Sequence, residues 1–564
     1  MRLQALFFQV NCATIERSSG GVAASPRNDG FQCADRSGKR RGVNAQGDIR
    51  FRLDERGAGL LLHVTSLPGP FESGDLGHAA RRFVDFLAAG GLRWWQVLPL
   101  APAGPGHSPY SATSVFAGSP ALVSLERLRD EGLLASDDPA FSAVSPSDRA
   151  DLAAADARRG PALLRAFERA MASAERRSAL EMFAAQQAYW LDDWALFASL
   201  KTRFDGKPWY EWPDPYRYRH HDALERYRHE NVKDLSMHRW IQQRFREDVA
   251  SLVGYAHERG VALLGDAPIY VSHDSAEVWA HPELFLLDEH RNPRAVAGVP
   301  PDAFSEEGQL WGNPLWDWGY LEQHGFGFWV ARLEQQLRMF DAVRLDHFIG
   351  FSRYYAIARG ERSAKNGTFH PVPGYAMFEA VFRALGPVQL VAEDLGVVTD
   401  EVKALRDHFR LPGMSVLQFG FAPGAAAEPA RPHRFAARSV VYTGTHDNDT
   451  SAGWFSGPPD GASAAGAKQW EAERAFSLEY LGLARTTAPA AFADAMVRAA
   501  FASHAQTAIV PVQDVLGQGR EARMNRPGIA QGNWSYRVLP GALTAEVAER
   551  LRSLAGCYGR LAAR

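Results

Sequence analysis

The 564-residue chain predicts a parallel (β/α)8 barrel, the TIM barrel, with large helical and loop insertions between strands. Eight short apolar runs, rich in branched residues, have the character of buried parallel strands. Amphipathic segments lie between several of them, and alternating strands and helices predict a parallel sheet. Three of the runs end on an acidic residue, which places carboxylates where barrels of this kind carry their chemistry.

The eight strand-like runs are spread along the whole chain. They are GLLLHV at 59–64, WWQVLPL at 94–100, VALLGDAPIYV at 261–271, AVRLDHF at 342–348, VQLVAEDLG at 388–396, SVLQFGF at 415–421, VVYTGTHDN at 440–448 and TAIVPVQDV at 507–515. Between them, apolar residues recur every three or four positions at 78–90, 326–340 and 399–409, which is typical of helices. Eight parallel strands with helical crossovers are enough to close a barrel.

The length of the chain requires insertions, because a plain barrel takes roughly 250 residues. The segment 125–250, between the second and third strands, is rich in Ala, Arg and Leu and predicts an inserted, mainly helical subdomain. The segment 272–320 is rich in Pro, Gly and Trp and has neither helical nor strand periodicity. It is therefore expected to be a long ordered loop on the strand-end face, and long ordered loops usually carry function.

Residues 1–55 differ from the rest, so the barrel with its insertions is expected to span 56–564. After MRLQALFFQV the segment is rich in Gly, Ser, Asn and Arg and lacks periodicity. A secretory signal is one interpretation, because Arg2 precedes a short apolar stretch, but a glutamine interrupts that stretch and no clear cleavage site follows. A disordered N-terminal extension is the favoured interpretation.

Composition argues against several functional classes. The formal net charge is −3 and hydrophobic residues make up 46% of the chain, so it can form a large core and has no general attraction for nucleic acid. No apolar run approaches the roughly 20 residues that span a bilayer, so no membrane association is expected. The only cysteines, Cys12, Cys33 and Cys557, lack metal-ligand spacing, which favours a reducing compartment and a cytoplasmic location.

The acidic residues that close three strand runs are Asp346, Glu393 and Asp447. Two carboxyls with a third beside them suit glycosidic bond cleavage, since one acid protonates the leaving oxygen while the other attacks or stabilises the sugar cation. Retaining enzymes hold these two groups about 5 Å apart, where two charges repel by about 3 kcal/mol at an effective dielectric of about 20. The two carboxyls therefore cannot be ionised at the same time near neutral pH. Arg344, on the same strand face as Asp346, would keep the charge there and leave Glu393 protonated.

Several motifs occur in an order that resembles one enzyme family. FDAVRLDHFIG, AEDLG and TGTHDN look like the catalytic triplet of amylomaltases, the 4-α-glucanotransferases of the α-amylase superfamily that are also called disproportionating enzymes. SPYSATSVFAGSP, GDAPIYVSHDSAEVW, WGNPLWDW, LPGMSVLQF and QDVLGQGREARMNRPG followed by GNWSYR are similar to other segments of that family. The resemblance runs from about Gly59 to Arg537, nearly the whole chain outside the N-terminal segment.

The resemblance implies a role for each of the three acidic residues. Asp346 would be the nucleophile, Glu393 the general acid/base and Asp447 the carboxylate that holds and distorts the sugar at the cleavage point. One position departs from the family pattern. Many relatives have an arginine where this chain has Ile349, so any contact made by that arginine is not expected here.

Six further positions are expected to bind the substrate or shape its site: Tyr110, Asp266, Trp311, Arg344, His347 and His446. The tyrosine resembles one that stacks on the sugar ring, and the aspartate resembles a residue that hydrogen-bonds a donor-side glucose. The tryptophan lies in the loop that, by resemblance, covers the bound glucan. The two histidines match positions that bind sugar hydroxyls around the cleavage point.

Two other acidic features have plainer interpretations. Asp394, next to the predicted acid/base, is interpreted as a helix cap rather than a catalytic group. The run of His, Asp, Asn and Asp at 446–449 offers oxygen ligands but lacks the spacing of a calcium loop. Neither a metal nor another cofactor is therefore expected.

The tryptophans divide into two groups by their surroundings. Those in apolar strand or helix runs are typical of a core, whereas those in the Pro- and Gly-rich segment are harder to bury, which favours stacking on sugars. The first group is Trp94, Trp95 and Trp190, and the second is Trp311, Trp316 and Trp318.

Together these observations predict a 4-α-glucanotransferase. It would cleave an α-1,4-glucan, form a covalent glucosyl intermediate on Asp346, and pass the segment to the 4-hydroxyl of an acceptor glucan or glucose. Its partners would be malto-oligosaccharides and glucans derived from starch or glycogen, not nucleic acid or membranes. Two alternatives are an α-glucan hydrolase with the same residues and a non-catalytic glucan-binding protein. The intact trio argues against the second, since binding alone needs no nucleophile.

Overall fold

Parallel strands alternate with helices through most of the computed structural model, which describes residues 49–301, 307–424, 427–459, 461–529 and 531–562. The strands of these residues are β1 (Gly57–Leu61), β2 (Trp94–Gln96), β3 (Ala262–Ala267), β4 (Ala295–Val299), β5 (Gln309–Pro314), β6 (Ala342–Leu345), β7 (Arg353–Ala358), β8 (Thr368–Pro371), β9 (Leu390–Ala392), β10 (Gly413–Val416), β11 (Ser439–Tyr442) and β12 (Thr507–Pro511). The α-helices are α1 (His78–Ala89), α2 (Leu125–Asp130), α3 (Leu152–Met171), α4 (Ala174–Arg203), α5 (Asp214–Arg217), α6 (His221–Glu230), α7 (Val232–Glu258), α8 (Ala276–Ala280), α9 (Trp318–Gln323), α10 (Gly327–Leu337), α11 (Gly374–Leu385), α12 (Asp400–His408), α13 (Ser451–Ser456), α14 (Ala464–Leu481), α15 (Pro489–Ala502), α16 (Val512–Val515) and α17 (Ala545–Cys557).

The largest sheet runs in chain order around a ring, β10–β11–β12–β1–β2–β3–β6–β9, and all its pairings are parallel. The amide of Ala392 in β9 donates to the carbonyl of Pro412, next to β10, over 2.9 Å, which brings the two ends of the sheet together. The predicted (β/α)8 barrel is confirmed. Each predicted run overlaps one strand of the barrel, but the strands end earlier than the apolar runs, and only Ser415 and Val416 of the run at 415–421 belong to β10.

Large side chains fill the space in and around the barrel. Trp94 and Trp95 of β2 have no exposed surface and Trp190 of α4 is 4% exposed, so the prediction that these three lie in the core is confirmed. The indole Nε1 of Trp95 donates to the carbonyl of Leu62 over 2.8 Å, which pairs its polar atom. Gly265 of β3 packs so closely on Phe340 that a Cβ there would meet the ring at 2.2 Å.

The segment 125–250 contains α2 to α7, where the sequence predicts helices, and no strand lies among these residues, all of which the structure describes. Asp151 and Ser173 cap α3 and α4 by accepting hydrogen bonds from backbone amides of their first turns. A buried ion pair of 2.9 Å between Arg159 of α3 and Asp75 joins the segment to the barrel. Its treatment as a separate subdomain stays a prediction. Of the described helices, none is long and apolar enough to cross a bilayer.

The segment 272–320 does not form the loop without regular structure that its composition predicts. It contains α8, β4, β5 and the start of α9. β4 pairs antiparallel with both β5 and β7, and β7 pairs with β8, which makes a separate four-stranded sheet. The prediction is wrong because β4 and β5 belong to a sheet that β7, about sixty residues further along the chain from β4, extends. Local composition does not show such a pairing.

Trp316 and Trp318 are core residues, so the prediction that they stack on sugars is wrong. They are 1% and 6% exposed. Trp316 stacks on Phe285 at 4.6 Å between ring centroids and donates through Nε1 to the carbonyl of Ile269 over 3.0 Å. Trp318 stacks on Trp329 of α10 at 6.0 Å. The segment folds back onto α10, and this packing covers both rings.

The boundary predicted at residue 55 for a disordered extension is also wrong. Residues 1–48 lie outside the described part of the chain, but Phe51 and Leu53 are buried, at 7% and 5% exposure. The Leu53 amide donates to Oε1 of Gln389 over 2.8 Å, and Oγ1 of Thr507 donates to the Leu53 carbonyl over 2.9 Å. Because these partners stand at the amino ends of β9 and β12, the segment 51–53 covers the end of the barrel opposite the acidic residues.

Candidate active site

The carboxyl ends of three barrel strands carry the predicted acidic trio. Asp346 directly follows β6, Glu393 directly follows β9, and Asp447 lies in the loop after β11. β6 and β9 are neighbours, with Leu345 paired to Ala392, so the first two carboxyls leave the sheet side by side. The amide of His347 donates to Oε2 of Glu393 over 2.7 Å, which ties the second carboxyl to the residue after the first.

Arg344 connects the residues around Asp346. Its Nη2 donates to Oδ1 of Asp346 over 2.7 Å, as the two-residue spacing predicts. Its Nε and Nη2 also bind both oxygens of Asp266, at 3.0 and 2.9 Å, because Asp266 of β3 is directly paired with Arg344 of β6. The Tyr110 hydroxyl donates to Oδ2 of Asp266 over 2.6 Å. The bidentate pair between Arg344 and Asp266 was not expected from sequence, since it depends on strand order.

The two central carboxyls differ in their surroundings and therefore in acidity. Burial raises the pKa of Asp346 to about 6, while the Arg344 guanidinium limits the rise. Burial raises the pKa of Glu393 well above its usual range, and the charge of Asp346 adds to the effect of burial against the attraction of Arg344. The Asp346 side chain keeps 28% of its surface exposed, so a substrate can reach it. The order of the two pKa values favours ionisation of Asp346 before Glu393, which suits a nucleophile and an acid.

Asp447 stays ionised over a wider pH range than the other two. Burial opposes ionisation, but attraction to His446 and hydrogen bonds from His446 and Asn525 outweigh it and lower the pKa of Asp447 to about 2. Nε2 of His446 lies 3.2 Å from Oδ2, and Nδ2 of Asn525 donates to Oδ1 over 2.6 Å. Sequence reasoning did not single out Asn525, although it stands in the MNRPG part of a motif similar to the family.

Aromatic rings border the carboxyls on two sides. Tyr110 and His446 stack with ring centroids 5.0 Å apart, and Trp311 meets His347 edge-on at 4.8 Å. His347 adopts a left-handed backbone with φ 49°, and burial lowers its pKa to about 4, so its ring is neutral at physiological pH. Trp311 is 36% exposed, which leaves its ring available to a ligand. The structure therefore brings all the predicted site residues into one connected cluster.

Asp394 caps no helix, so that interpretation is wrong. α12 begins at Asp400 with Thr399 as its N-cap. Oδ1 of Asp394 accepts from the amide of Met414 over 2.8 Å, and Oδ2 lies 2.5 Å from Arg406. The carboxylate thus holds the start of β10, a partner that lies twenty residues away in sequence.

Two further points concern Ile349, where the chain departs from the family pattern, and the polar run at 446–449. Ile349 is 8% exposed and packs in the core. In the run at 446–449, Oδ2 of Asp449 binds Nε of Arg520 over 2.6 Å. Across the described residues, no group of three or more His, Cys, Asp and Glu side chains has an arrangement that could hold a metal ion.

Comparison with known proteins connects this geometry to one family. The model of glycoside hydrolase family 77, described as 4-alpha-glucanotransferase, matches residues 62–543. The chain belongs to this family. The 4-alpha-glucanotransferase of Thermus thermophilus is 45% identical over 517 residues, covering 90% of this chain and 99% of that protein. The chloroplastic/amyloplastic 4-alpha-glucanotransferase of Solanum tuberosum is 40% identical over 522 residues, covering 90% of this chain and 87% of that protein.

A solved structure supports the same assignment. The amylomaltase from Streptococcus agalactiae in complex with acarbose superimposes with a TM-score of 0.84 at 33% identity, covering 90% of this chain and 100% of that chain. The predicted resemblance to amylomaltases is confirmed, and so is the prediction of a glucanotransferase enzyme. The roles of the individual site residues stay predictions.

Proposed function

We propose that this glucanotransferase moves a segment of an α-1,4-glucan from a donor to the 4-hydroxyl of an acceptor glucan or glucose, with retention of configuration. The observation that carries the proposal is the placement of an arginine-bound Asp346 and of Glu393 at neighbouring strand ends, where burial raises the pKa of Glu393 well above its usual range. Retaining glycosidases divide the work between two carboxyls in this way. The donors would be malto-oligosaccharides and glucans derived from starch or glycogen, consistent with the acarbose bound to the related amylomaltase.

In the first half of the reaction, the carboxylate of Asp346 attacks the anomeric carbon at the cleavage point. Glu393 gives its proton to the glycosidic oxygen, and the reducing-end part of the donor leaves with a free 4-hydroxyl. Asp447, ionised and held by His446 and Asn525, binds hydroxyls of the distorted sugar. The ring of Tyr110 provides a stacking surface beside it.

In the second half, the acceptor occupies the place of the departed glucan. Its 4-hydroxyl gives a proton to Glu393, now a carboxylate, and attacks the anomeric carbon as the bond to Asp346 breaks. Water is present at roughly 55 M, but a well-oriented bound hydroxyl can act at an effective molarity of about 10⁵ M. The exposed ring of Trp311 beside His347 is a stacking surface on which an acceptor sugar can be held.

Incubation with maltotriose separates transfer from hydrolysis. Each transfer breaks one glycosidic bond and makes another, so we expect glucose and a ladder of longer glucans with almost no net gain in reducing ends. The hydrolase alternative, in which water takes the place of the acceptor, gives the opposite result. A steady rise in reducing ends with no product longer than maltotriose would establish it.

We also propose a cytoplasmic location for the enzyme. The support is the scarcity of cysteine, three in 564 residues, and the free thiol of Cys557, the cysteine within the described part of the chain. Fractionation of the source cells with an antibody to the enzyme checks this, and recovery from a secreted or membrane fraction would contradict it.

A further inference from the structure

The loop that carries Asp447 is held at both ends by one buried carboxylate. Asp514, in α16 directly after β12, is 2% exposed. Its Oδ2 accepts hydrogen bonds from Oγ1 of Thr443 at 2.5 Å and from Oγ of Ser451 at 2.8 Å. Its Oδ1 accepts from the backbone amide of Ser451 at 2.6 Å. Thr443 directly follows β11 and Ser451 begins α13, so these two residues bound the loop, and Asp447 lies midway between them.

The position of Asp514 follows from the order of the barrel strands. β11 and β12 are parallel neighbours, with Tyr442 paired to Ile509, so the chain leaves both strands at the same end of the sheet. The loop after β11 and the helix after β12 therefore begin side by side. Asp514 reaches the loop from the adjacent strand, where local sequence around Asp447 does not show it.

Within the described chain, the side-chain hydrogen-bond partners of Asp514 are the Thr443 hydroxyl, the Ser451 hydroxyl and the Ser451 amide. Among the described residues, no basic side chain lies within ion-pair distance of the Asp514 carboxylate. Thr443 and Ser451 have no exposed surface, so water does not compete for these bonds. A buried carboxylate is tolerated only when its oxygens are hydrogen-bonded, and a loop that moved away would leave them unpaired. Asp514 and the two ends of the loop thus hold one another in place.

Other groups hold the middle of the loop. Nδ2 of Asn525 donates to the carboxylate of Asp447 over 2.6 Å, and Arg523 donates to its backbone carbonyl over 2.5 Å. Asn448 accepts from both the amide and the hydroxyl of Thr445, at 2.8 and 2.9 Å, which shapes the turn. These contacts act near the carboxylate itself, whereas Asp514 acts only on the loop ends.

We propose that Asp514 is a positioning residue for the reaction, which acts through the 443–451 loop to place the carboxylate of Asp447 against the donor sugar. The kinetic part of the inference rests on the proposed role of Asp447. Asp514→Asn keeps the shape of the side chain but replaces one acceptor oxygen with a donor, so at least one of the three hydrogen bonds is lost. Since a displacement of about 1 Å can lower a rate by about 100-fold, we expect kcat/KM on a glucan donor to fall by about 10- to 100-fold.

A double-mutant cycle tests whether the effect runs through Asp447. Asp514→Asn is made in the wild-type enzyme and in Asp447→Asn, and kcat/KM is measured with a glycosyl fluoride donor, which keeps slow variants measurable. We expect a large loss in the first background and at most about a threefold further loss in the second, because coupled residues are not additive. No loss in the first background, or equal losses in both, would overturn the proposal.

A crystal structure of Asp514→Asn gives a reading that does not depend on kinetics. We expect the 443–451 loop to shift while the rest of the barrel superimposes, and an unmoved loop would count against Asp514. If Asp447→Asn itself left activity intact, the proposed role of Asp447 would fail instead. The position of the 443–451 loop in the Asp514→Asn crystal structure would then still test whether Asp514 holds the loop.

Two further variants serve as control and as substitute. Asp248 of α7 is an equally buried carboxylate in the helical segment. It accepts a hydrogen bond from the amide of Ser124 at 2.8 Å and forms an ion pair with Arg127. Asp248→Asn should lower the melting temperature without changing kcat/KM of the folded enzyme.

If Asp514→Asn does not fold, Thr443→Val removes one hydrogen-bond donor to Asp514 and keeps the shape of the side chain. It should lower kcat/KM in the same direction but less, and an unchanged value would also overturn the proposal.

Discussion

Arg344 and Asp346 lie two residues apart at the end of one strand, and Nη2 of the arginine donates to Oδ1 of the aspartate over 2.7 Å. The same guanidinium is anchored on Asp266, so its position does not depend on Asp346 alone. Burial would otherwise raise the pKa of Asp346 beyond its value of about 6. This contact therefore determines the pH range in which Asp346 is an available nucleophile.

The pH dependence of the reaction should follow from the two central carboxyls. Activity requires Asp346 ionised and Glu393 protonated, so kcat/KM should rise with pH through an acid limb near pH 6 and fall again through the higher pKa of Glu393. Arg344→Gln removes the cation that favours ionised Asp346. The pKa of Asp346 should rise further, which moves the acid limb to higher pH and lowers kcat/KM at pH 6 more than at pH 8.

Arg560→Gln is the matched control for this variant. Arg560 has no exposed surface, but it binds the carbonyls of Gly57 and Gln506 at the opposite end of the barrel. Its loss should lower the melting temperature and leave the acid limb unchanged. An acid limb that stayed near pH 6 in Arg344→Gln would contradict its assignment to Asp346.

Glu393→Gln should separate protonation of the leaving group from nucleophilic attack. Without the acid, turnover on maltotriose should fall by about 10²- to 10⁴-fold, whereas a glycosyl fluoride, whose leaving group needs no proton, should still form the covalent intermediate. Asp346→Asn should block the intermediate with both donors. Mass spectrometry of the trapped enzyme checks the site, and an adduct on any other residue would refute the role of Asp346.

Trp311→Ala should raise the share of hydrolysis among the products. Loss of the exposed ring beside His347 weakens the hold on an acceptor sugar, so water should intercept more of the intermediate. The ratio of reducing ends formed to glucan segments transferred from maltotriose measures this share. Leu310→Ala is the control, because Leu310 is 43% exposed on the same strand and points to the opposite face. An equal change in both variants would rule out the role of Trp311.

The N-terminal segment should divide sharply into a dispensable and a structural part. Deletion of residues 1–48 removes none of the described contacts and should leave activity and melting temperature unchanged. Phe51→Ala should lower the free energy of unfolding by about 3 kcal/mol, because the ring is 7% exposed and packs 5.0 Å from His257. Chemical denaturation of the deletion variant and of Phe51→Ala measures the free energy of unfolding of each. A deletion as destabilising as the substitution would show that the first 48 residues pack on the barrel.

Part of the site could be predicted because it depends on local sequence. Apolar runs locate the strands, and a carboxylate that closes a buried run stands at the strand end wherever the strand is placed. The contact between Arg344 and Asp346 needs only the two-residue repeat of a strand. Asp394 looked locally like a helix cap, but its partners, Arg406 and Met414, come from later in the chain.

The sequence by itself determined the barrel, its acidic trio and the family, because periodicity and motif order are properties of the linear chain. The tertiary structure alone decided which long-range partners each residue meets. It buried Trp316 and Trp318 against α10, buried Phe51 and Leu53 within the predicted extension, and placed Asn525 and Asp514 around the loop of Asp447. The physical reason is that strand neighbours and packed helices are distant in sequence, so the burial and hydrogen bonds they create arise only when the sheet closes.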